Sequence, residues 1–186
     1  TVELPVVVGS EGELGIDTAV KPTDGRAAMP LRIKDTNYEK GLGYHASGEI
    51  IVELGGDYTG FSAEVGVQWQ GGNAAGSVQF QVYVDDVLRY DSGIMREQDP
   101  PGRVVVDTTG GDTLRLVVTD GGDGIMCDCA DWADARLERA GTLKDKPPQE
   151  EIDMALFARV ITCDPHRTDG ARSNRVQEFN AADVFL

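Results

Sequence analysis

The stretch Val78-Gln79-Phe80-Gln81-Val82-Tyr83-Val84 alternates apolar and polar side chains without a break. Successive side chains on an extended strand point to opposite faces. A period of two therefore predicts a strand with one buried and one wet face. Asp85-Asp86 follows at once and reads as a tight hairpin turn into a second strand-like run. Leu114-Arg115-Leu116-Val117-Val118 begins with the same alternation and then turns fully apolar. Similar runs recur near residues 49–54, 61–67, 77–84, 87–92, 103–108, 113–119 and 131–138, divided by Gly and Asp clusters. No helical periodicity interrupts them. Seven strands at this spacing predict an all-β fold, an antiparallel β-sandwich.

Outside this region the pattern is weaker. Residues 2–8 could add a strand, and 9–29 are mixed and turn-rich. Beyond Glu138, residues 140–151 carry Gly141, Pro147, Pro148 and several charges, the composition of a linker. Residues 154–162 are apolar and β-branched and predict a strand, and 164–174 read as a polar, basic loop. The expected organisation is a sandwich over 1–139, a linker over 140–151 and a β-extension over 152–186. That extension is either the start of a following domain or a strand folding back. The chain begins at Thr1 and ends on the apolar run Asp183-Val184-Phe185-Leu186, so it reads as a fragment of a longer protein.

The formal net charge is −15. That field repels nucleic acid and anionic membrane surfaces, leaving neutral sugars and cations as ligands. No apolar run is long enough to span a bilayer. Three cysteines, Cys127, Cys129 and Cys163, are too few for a disulfide framework.

Several ordered segments resemble one family. They are Tyr38-Glu39-Lys40-Gly41-Leu42-Gly43-Tyr44-His45-Ala46, Glu49-Ile50-Ile51-Val52-Glu53-Leu54 and Phe61-Ser62-Ala63-Glu64-Val65-Gly66-Val67, followed by Val78–Val84 with Asp85. Tyr90-Asp91-Ser92-Gly93, Leu114-Arg115-Leu116-Val117-Val118-Thr119-Asp120 and Ala130-Asp131-Trp132-Ala133-Asp134-Ala135-Arg136-Leu137 complete the set. Together they resemble the NPCBM/NEW2 domain, the novel putative carbohydrate-binding module classed as carbohydrate-binding module family 51. The resemblance implies a galactose-binding-like, jelly-roll type sandwich, appended to glycoside hydrolases and other exported proteins. It also implies a galactose-type glycan ligand, a structural calcium ion and a secreted or cell-envelope location. The sequence departs from the family at Gln68-Trp69-Gln70 and at Cys127-Asp128-Cys129.

Antiparallel succession places the connections 55–60, 85–86 and 109–112 at one end of the sandwich, all short. The long connections 68–76, 94–102 and 120–130 fall at the other end, where 41–48 enters. Long loops on a rigid scaffold concentrate binding residues. Tyr44, His45, Gln68, Trp69, Gln70, Asn73, Arg96 and Glu97 are therefore the candidate ligand contacts. Trp69 between two glutamines offers an apolar ring face beside planar amides, the combination a sugar needs. Trp69 and Tyr44 read equally as core plugs, and His45 as a buried imidazole bonded to a carboxylate.

Asp120, Asp123 and Asp128 supply carboxylate oxygens on a glycine-rich loop, the donor type calcium requires. Asp131 and Trp132 read as structural. Cys127-x-Cys129 with Cys163-x-x-His166 could bind zinc, or Cys163 could pair with either of the other two, but buried inert thiols are the expected reading. No Ser/His/Asp set, phosphate loop or spaced carboxylate pair marks an enzyme. The expected function is a non-catalytic carbohydrate-binding module, with a carbohydrate ligand and the attached parent domains as partners. The alternative is a ligand-free structural spacer or interdomain clamp.

Overall fold

The structure, a computed structural model, describes residues 12–139 together with the strands Phe157–Thr162 and Arg175–Asn180. The proposed strand at 2–8, the linker at 140–151, Cys163 and His166 lie outside the described residues. In chain order the strands are β1 (Gly15–Ile16), β2 (Leu31–Ile33), β3 (Thr36–Tyr38), β4 (Gly41–His45), β5 (Gly48–Glu53) and β6 (Tyr58–Val67). They continue with β7 (Ser77–Val84), β8 (Val87–Arg96), β9 (Gly102–Asp107), β10 (Thr113–Thr119), β11 (Cys129–Arg139), β12 (Phe157–Thr162) and β13 (Arg175–Asn180). One sheet has the order β1-β4-β11-β6-β9, the other β13-β12-β5-β10-β7-β8, and β2-β3 form a separate hairpin. Every pairing is antiparallel, so the chain is a β-sandwich.

The alternating side chains fill the space between the sheets. Val78, Phe80, Val82 and Val84 from β7 lie beside Leu114, Leu116 and Val118 from the neighbouring β10, all buried on the inner face of the six-stranded sheet. Trp132 at the middle of β11 is fully buried, its ring edge-on to Phe80 with centroids 5.0 Å apart and tilted against Phe61 at 6.3 Å. Asp85 and Asp86 both have positive φ, as the tight β7–β8 turn requires.

Two strands run further than their sequence pattern suggests. β8 continues past Ser92-Gly93 because those residues form a bulge: Gly93 has φ +65° and Ser92 Oγ accepts the Phe80 N–H at 2.9 Å. Segment 41–45 is not merely an entry to β5 but a strand of the opposite sheet, paired to β11.

The outer face of the five-stranded sheet carries a second, smaller apolar layer. Ala19, Leu31 and Ile33 lie on it, each no more than 2% exposed. They reach the backbone because Gly43, Asp131 and Gly66 form one row across β4, β11 and β6. A Cβ on Gly43 would lie 2.4 Å from Ala19 Cα, and one on Gly66 2.3 Å from Ile33 Cγ2. The Tyr38 hydroxyl donates to Glu64 on β6 and ties the hairpin down. Asp131 is buried in this row with neither carboxylate oxygen bonded among the described residues. The neighbouring Arg32 N–H goes to Gln68 Oε1 instead, at 3.0 Å. Burial holds the Asp131 pKa well above the usual carboxylate range.

Gly43→Ala should therefore lift residues 19–33 off the sheet. Overpacking against backbone predicts a loss of about 1–3 kcal/mol in a urea titration. The Ala19 N–H, now bonded to Met29 O at 2.9 Å, should exchange faster with solvent. An unchanged exchange rate there would refute the close-approach account.

Candidate ligand-binding site

The long connections do meet at one end. Gln70 Nε2 donates to Cys127 O at 2.8 Å, Ala74 N donates to Glu97 Oε2 at 3.0 Å, and Gln98 Nε2 donates to Gly72 O at 2.6 Å. The short connections meet at the other end, where Leu54 N donates to Asp112 O and Thr113 N to Asp85 Oδ1.

At the long-loop end, one row beyond Gly43–Asp131–Gly66, lie His45 on β4, Cys129 on β11 and Gln68 just past β6. His45 and Cys129 are register partners, and Gln68 N donates to Cys129 O at 2.9 Å. This row floors a cleft of about 610 Å3. One wall is the segment held down on the glycine row, including Val20, Pro22, Asp24, Arg26 and Met29; the other includes Gln70 and Cys127. The volume suits a small ligand.

The floor is preorganised. His45 is 4% exposed, with Nδ1 2.7 Å from Ala46 O, which places a proton on Nδ1. The Gln68 amide is fully engaged: Oε1 accepts Arg32 N, and Nε2 donates to Pro30 O and Trp69 O. Gln68 thus clamps the wall to the floor. Gln70 differs, because its Oε1 has no bond among the described residues and can accept from a ligand. Arg26 Nε donates to Asp24 Oδ2 at 2.7 Å in an exposed pair on the wall. The Arg26 backbone N–H is the main reason the Asp24 pKa falls below its ordinary value.

Several expected contacts stand elsewhere. Tyr44 is 1% exposed, deep in the core over Gly48, so it is a core plug and the expectation that it contacts ligand is corrected. It faces inward because it alternates with His45. Glu97 is buried and spends both carboxylate oxygens on Gln70 N and Ala74 N, bracing the 68–76 loop. Trp69 is half-buried outside the cleft, with the Arg32 guanidinium 4.1 Å from its ring centroid. Asn73 and Arg96 are exposed and do not line the cleft. Asp24 and Arg26 carried no sequence signal, since nothing local shows that 19–29 folds over the sheet. Cys127 and Cys129 are half-exposed on the cleft wall and floor, not buried.

The acidic loop converges on Ser77. Asp128 Oδ1 accepts Ser77 N at 2.7 Å and Asp123 Oδ1 accepts Ser77 Oγ at 2.7 Å, while Asp120 Oδ1 accepts Gly122 N. Asp128 Oδ2 is buried without a partner among the described residues. Burial, with the charges of Asp123 and Asp120 adding to it, outweighs the Ser77 hydrogen bond and raises the Asp128 pKa to about 7. Among the described residues, no three His, Cys, Asp or Glu side chains are placed to share a metal ion.

The NPCBM/NEW2 domain model matches residues 4–138. The chain belongs to the NPCBM/NEW2 family. Solved structures agree. The CBM51 of Clostridium perfringens GH95, in complex with methyl-galactose, is 35% identical, with a TM-score of 0.60 over 73% of this chain and 98% of that one. The CBM51-2 and INT domains of Clostridium perfringens ZmpB, in complex with GlcNAc, are 32% identical, with a TM-score of 0.64 over 72% of this chain and 29% of that one. The chain thus spans under a third of the ZmpB structure's length. Tandem CBM51 modules of the Streptococcus pneumoniae family 98 glycoside hydrolase share the fold at 18% identity, with a TM-score of 0.61 over 75% of this chain and 44% of that one. No curated protein sequence matches significantly. This NPCBM domain is therefore a carbohydrate-binding module, of a family that is generally non-catalytic.

Asp128 has a pH consequence. Its folded pKa of about 7 exceeds the ordinary 3.8, so the folded state holds a proton that the unfolded state releases. Its contribution to stability is complete below pH 3.8 and is lost as pH rises towards 7. In chelator, Asp128→Asn should gain melting temperature relative to the unsubstituted chain across that range, with the difference level above it. A difference that does not change with pH would refute the assignment.

Proposed function

We propose that this NPCBM domain is the glycan-binding part of a larger exported, glycan-active protein, and that it takes a neutral, galactose-type sugar in the cleft. The cleft itself carries the reading: it is a pocket of sugar size whose one wall sets the Asp24–Arg26 pair among apolar residues and whose other wall presents Gln70. Gln70 Oε1 and the Asp24–Arg26 pair are suited to sugar hydroxyls, with Val20, Pro22 and Met29 against the C–H face. His45 and Gln68 set the floor. Trp69 and Asn73 on the 68–76 loop and Arg96 at the end of β8 sit near the cleft where a longer glycan can extend. The complexes of relatives with methyl-galactose and GlcNAc support a monosaccharide ligand.

A ligand-free spacer is the second reading. It is favoured by β12, which pairs with β5 from Ala158↔Val52 to Thr162↔Gly48 and so ties the C-terminal extension to the sandwich. Calorimetric titration with methyl-galactose and GlcNAc separates the two. The module should bind one of them with a Kd of about a millimolar, because few contacts hold a well-hydrated ligand. Asp24→Ala should weaken binding about tenfold while changing stability by less than about 0.5 kcal/mol. A folded chain that binds neither sugar, nor any glycan on an array, supports the spacer.

We also propose a structural calcium ion at Asp120, Asp123 and Asp128, on the strength of the buried, unbonded Asp128 Oδ2. Calcium needs six to eight oxygens, so loop carbonyls and water complete the set after a small adjustment of this glycine-rich segment. Calcium added to chelated protein should raise the melting temperature, and Asp128→Asn should abolish the response. An equal response in both proteins would place the ion elsewhere.

A further inference from the structure

We infer that Cys127 and Cys129 form an oxidisable dithiol in the cleft, and that closing it into an intramolecular disulfide lowers affinity for the glycan. The second half rests on the reading of the cleft as the sugar site. Both residues line that cleft and both are half-exposed, so a small soluble disulfide can reach them. They are two residues apart, which limits their Cα separation to about 7 Å. A disulfide spans up to roughly 6.8 Å, so a slight contraction of the turn suffices.

That turn is coupled to the ligand contacts. Cys127 has φ +65°, a left-handed conformation that a cysteine keeps only where neighbours hold it. Its carbonyl is held by Gln70 Nε2 at 2.8 Å, and the backbone of Gly76 packs so closely that a Cβ there would lie 2.2 Å from the same oxygen. Cys129 is fixed on the other side by its pairing with His45 and by Gln68 N. Since the strand end cannot move, contraction falls on Cys127, and its carbonyl turns away from Gln70. Gln70 is the side chain whose Oε1 remains available to a ligand.

The chemistry balances with a low-molecular-weight disulfide as oxidant. One cysteine thiolate attacks the oxidant, forming a mixed disulfide and releasing one small thiol. The second cysteine thiolate then displaces the other small thiol. Two protein thiols are oxidised, one small disulfide is reduced to two thiols, and the cysteine protons pass to the released thiolates.

The intact chain is equilibrated in buffers of reduced and oxidised glutathione, quenched with an alkylating agent and mapped by mass spectrometry without reduction. The expected product is one peptide carrying both Cys127 and Cys129, lighter by two hydrogens, with Cys163 alkylated. A bond from Cys163 to either residue, a mixed disulfide as the end product, or full alkylation at a poise that oxidises a Cys-x-Cys control peptide would overturn the dithiol.

Calorimetry with methyl-galactose then compares the two forms, and the oxidised form should bind about tenfold more weakly, a loss of about 1.4 kcal/mol. Equal affinities would overturn the coupling, as would Cys127→Ser/Cys129→Ser protein that still loses affinity in oxidised glutathione. If the reduced chain binds no methyl-galactose, the sugar reading and the coupling fail together, and the peptide map alone decides the dithiol.

Discussion

The outer face of the five-stranded sheet is reduced to bare backbone at Gly43 and Gly66, and the position of one wall of the cleft follows from that. A side chain at either position would hold the N-terminal layer off the sheet. Without the layer, Asp24, Arg26 and Met29 have no fixed place and the cleft loses a wall. The cost of this arrangement sits between the glycines. Asp131 is buried with neither carboxylate oxygen hydrogen-bonded among the described residues, and burial raises its pKa by penalising the charged form.

The polar groups near the cleft divide into those that build it and those left to act. Gln68 and Glu97 resemble ligand contacts by residue type, yet every polar atom of their side chains is already bonded to a neighbouring loop. They are occupied in shaping the loops, much as the supporting groups behind a metal ligand are. Among the described groups that remain for a ligand are Gln70 Oε1 and an exposed acid–base pair. A site with so few directed groups gains little affinity from one sugar, and several such modules on one chain, or several sugars on one glycan, multiply it.

The sandwich was legible because Val78–Val84 and its counterparts declare their buried face residue by residue, and because connection lengths alone sort the two ends. The site was legible only in part. Loop position brings His45, Gln68 and Gln70 to the end where the cleft lies, but the row His45–Cys129–Gln68 joins residues far apart in the chain, and pairing register is not written in any local pattern. Tyr44 misled because alternation at a strand end decides inside from outside. The neighbouring glycines 41 and 43 obscure that phase, since glycine shows no preference for either face. The bulge at Ser92-Gly93 was hidden for a related reason: Gly followed by Ile reads as a strand end, when one extra residue let the strand continue. Residues 19–29 gave no signal, since what fixes them is the bareness of a sheet they reach only after folding.

β11 lies at the centre of the five-stranded sheet although it is the last strand of the family domain. Its Trp132 pairs with Leu42 on one side and Val65 on the other. During synthesis, β4 and β6 therefore wait with open edges until Arg139 has emerged. Ring closures of this length are slow, since their entropy must be met before any contact rewards them. A nascent chain halted short of that point presents two unpaired strand edges and an indole-sized void, the condition in which strands join the wrong neighbour. For this topology, the order in which residues become available matters to the yield of folded protein as much as the final stability does.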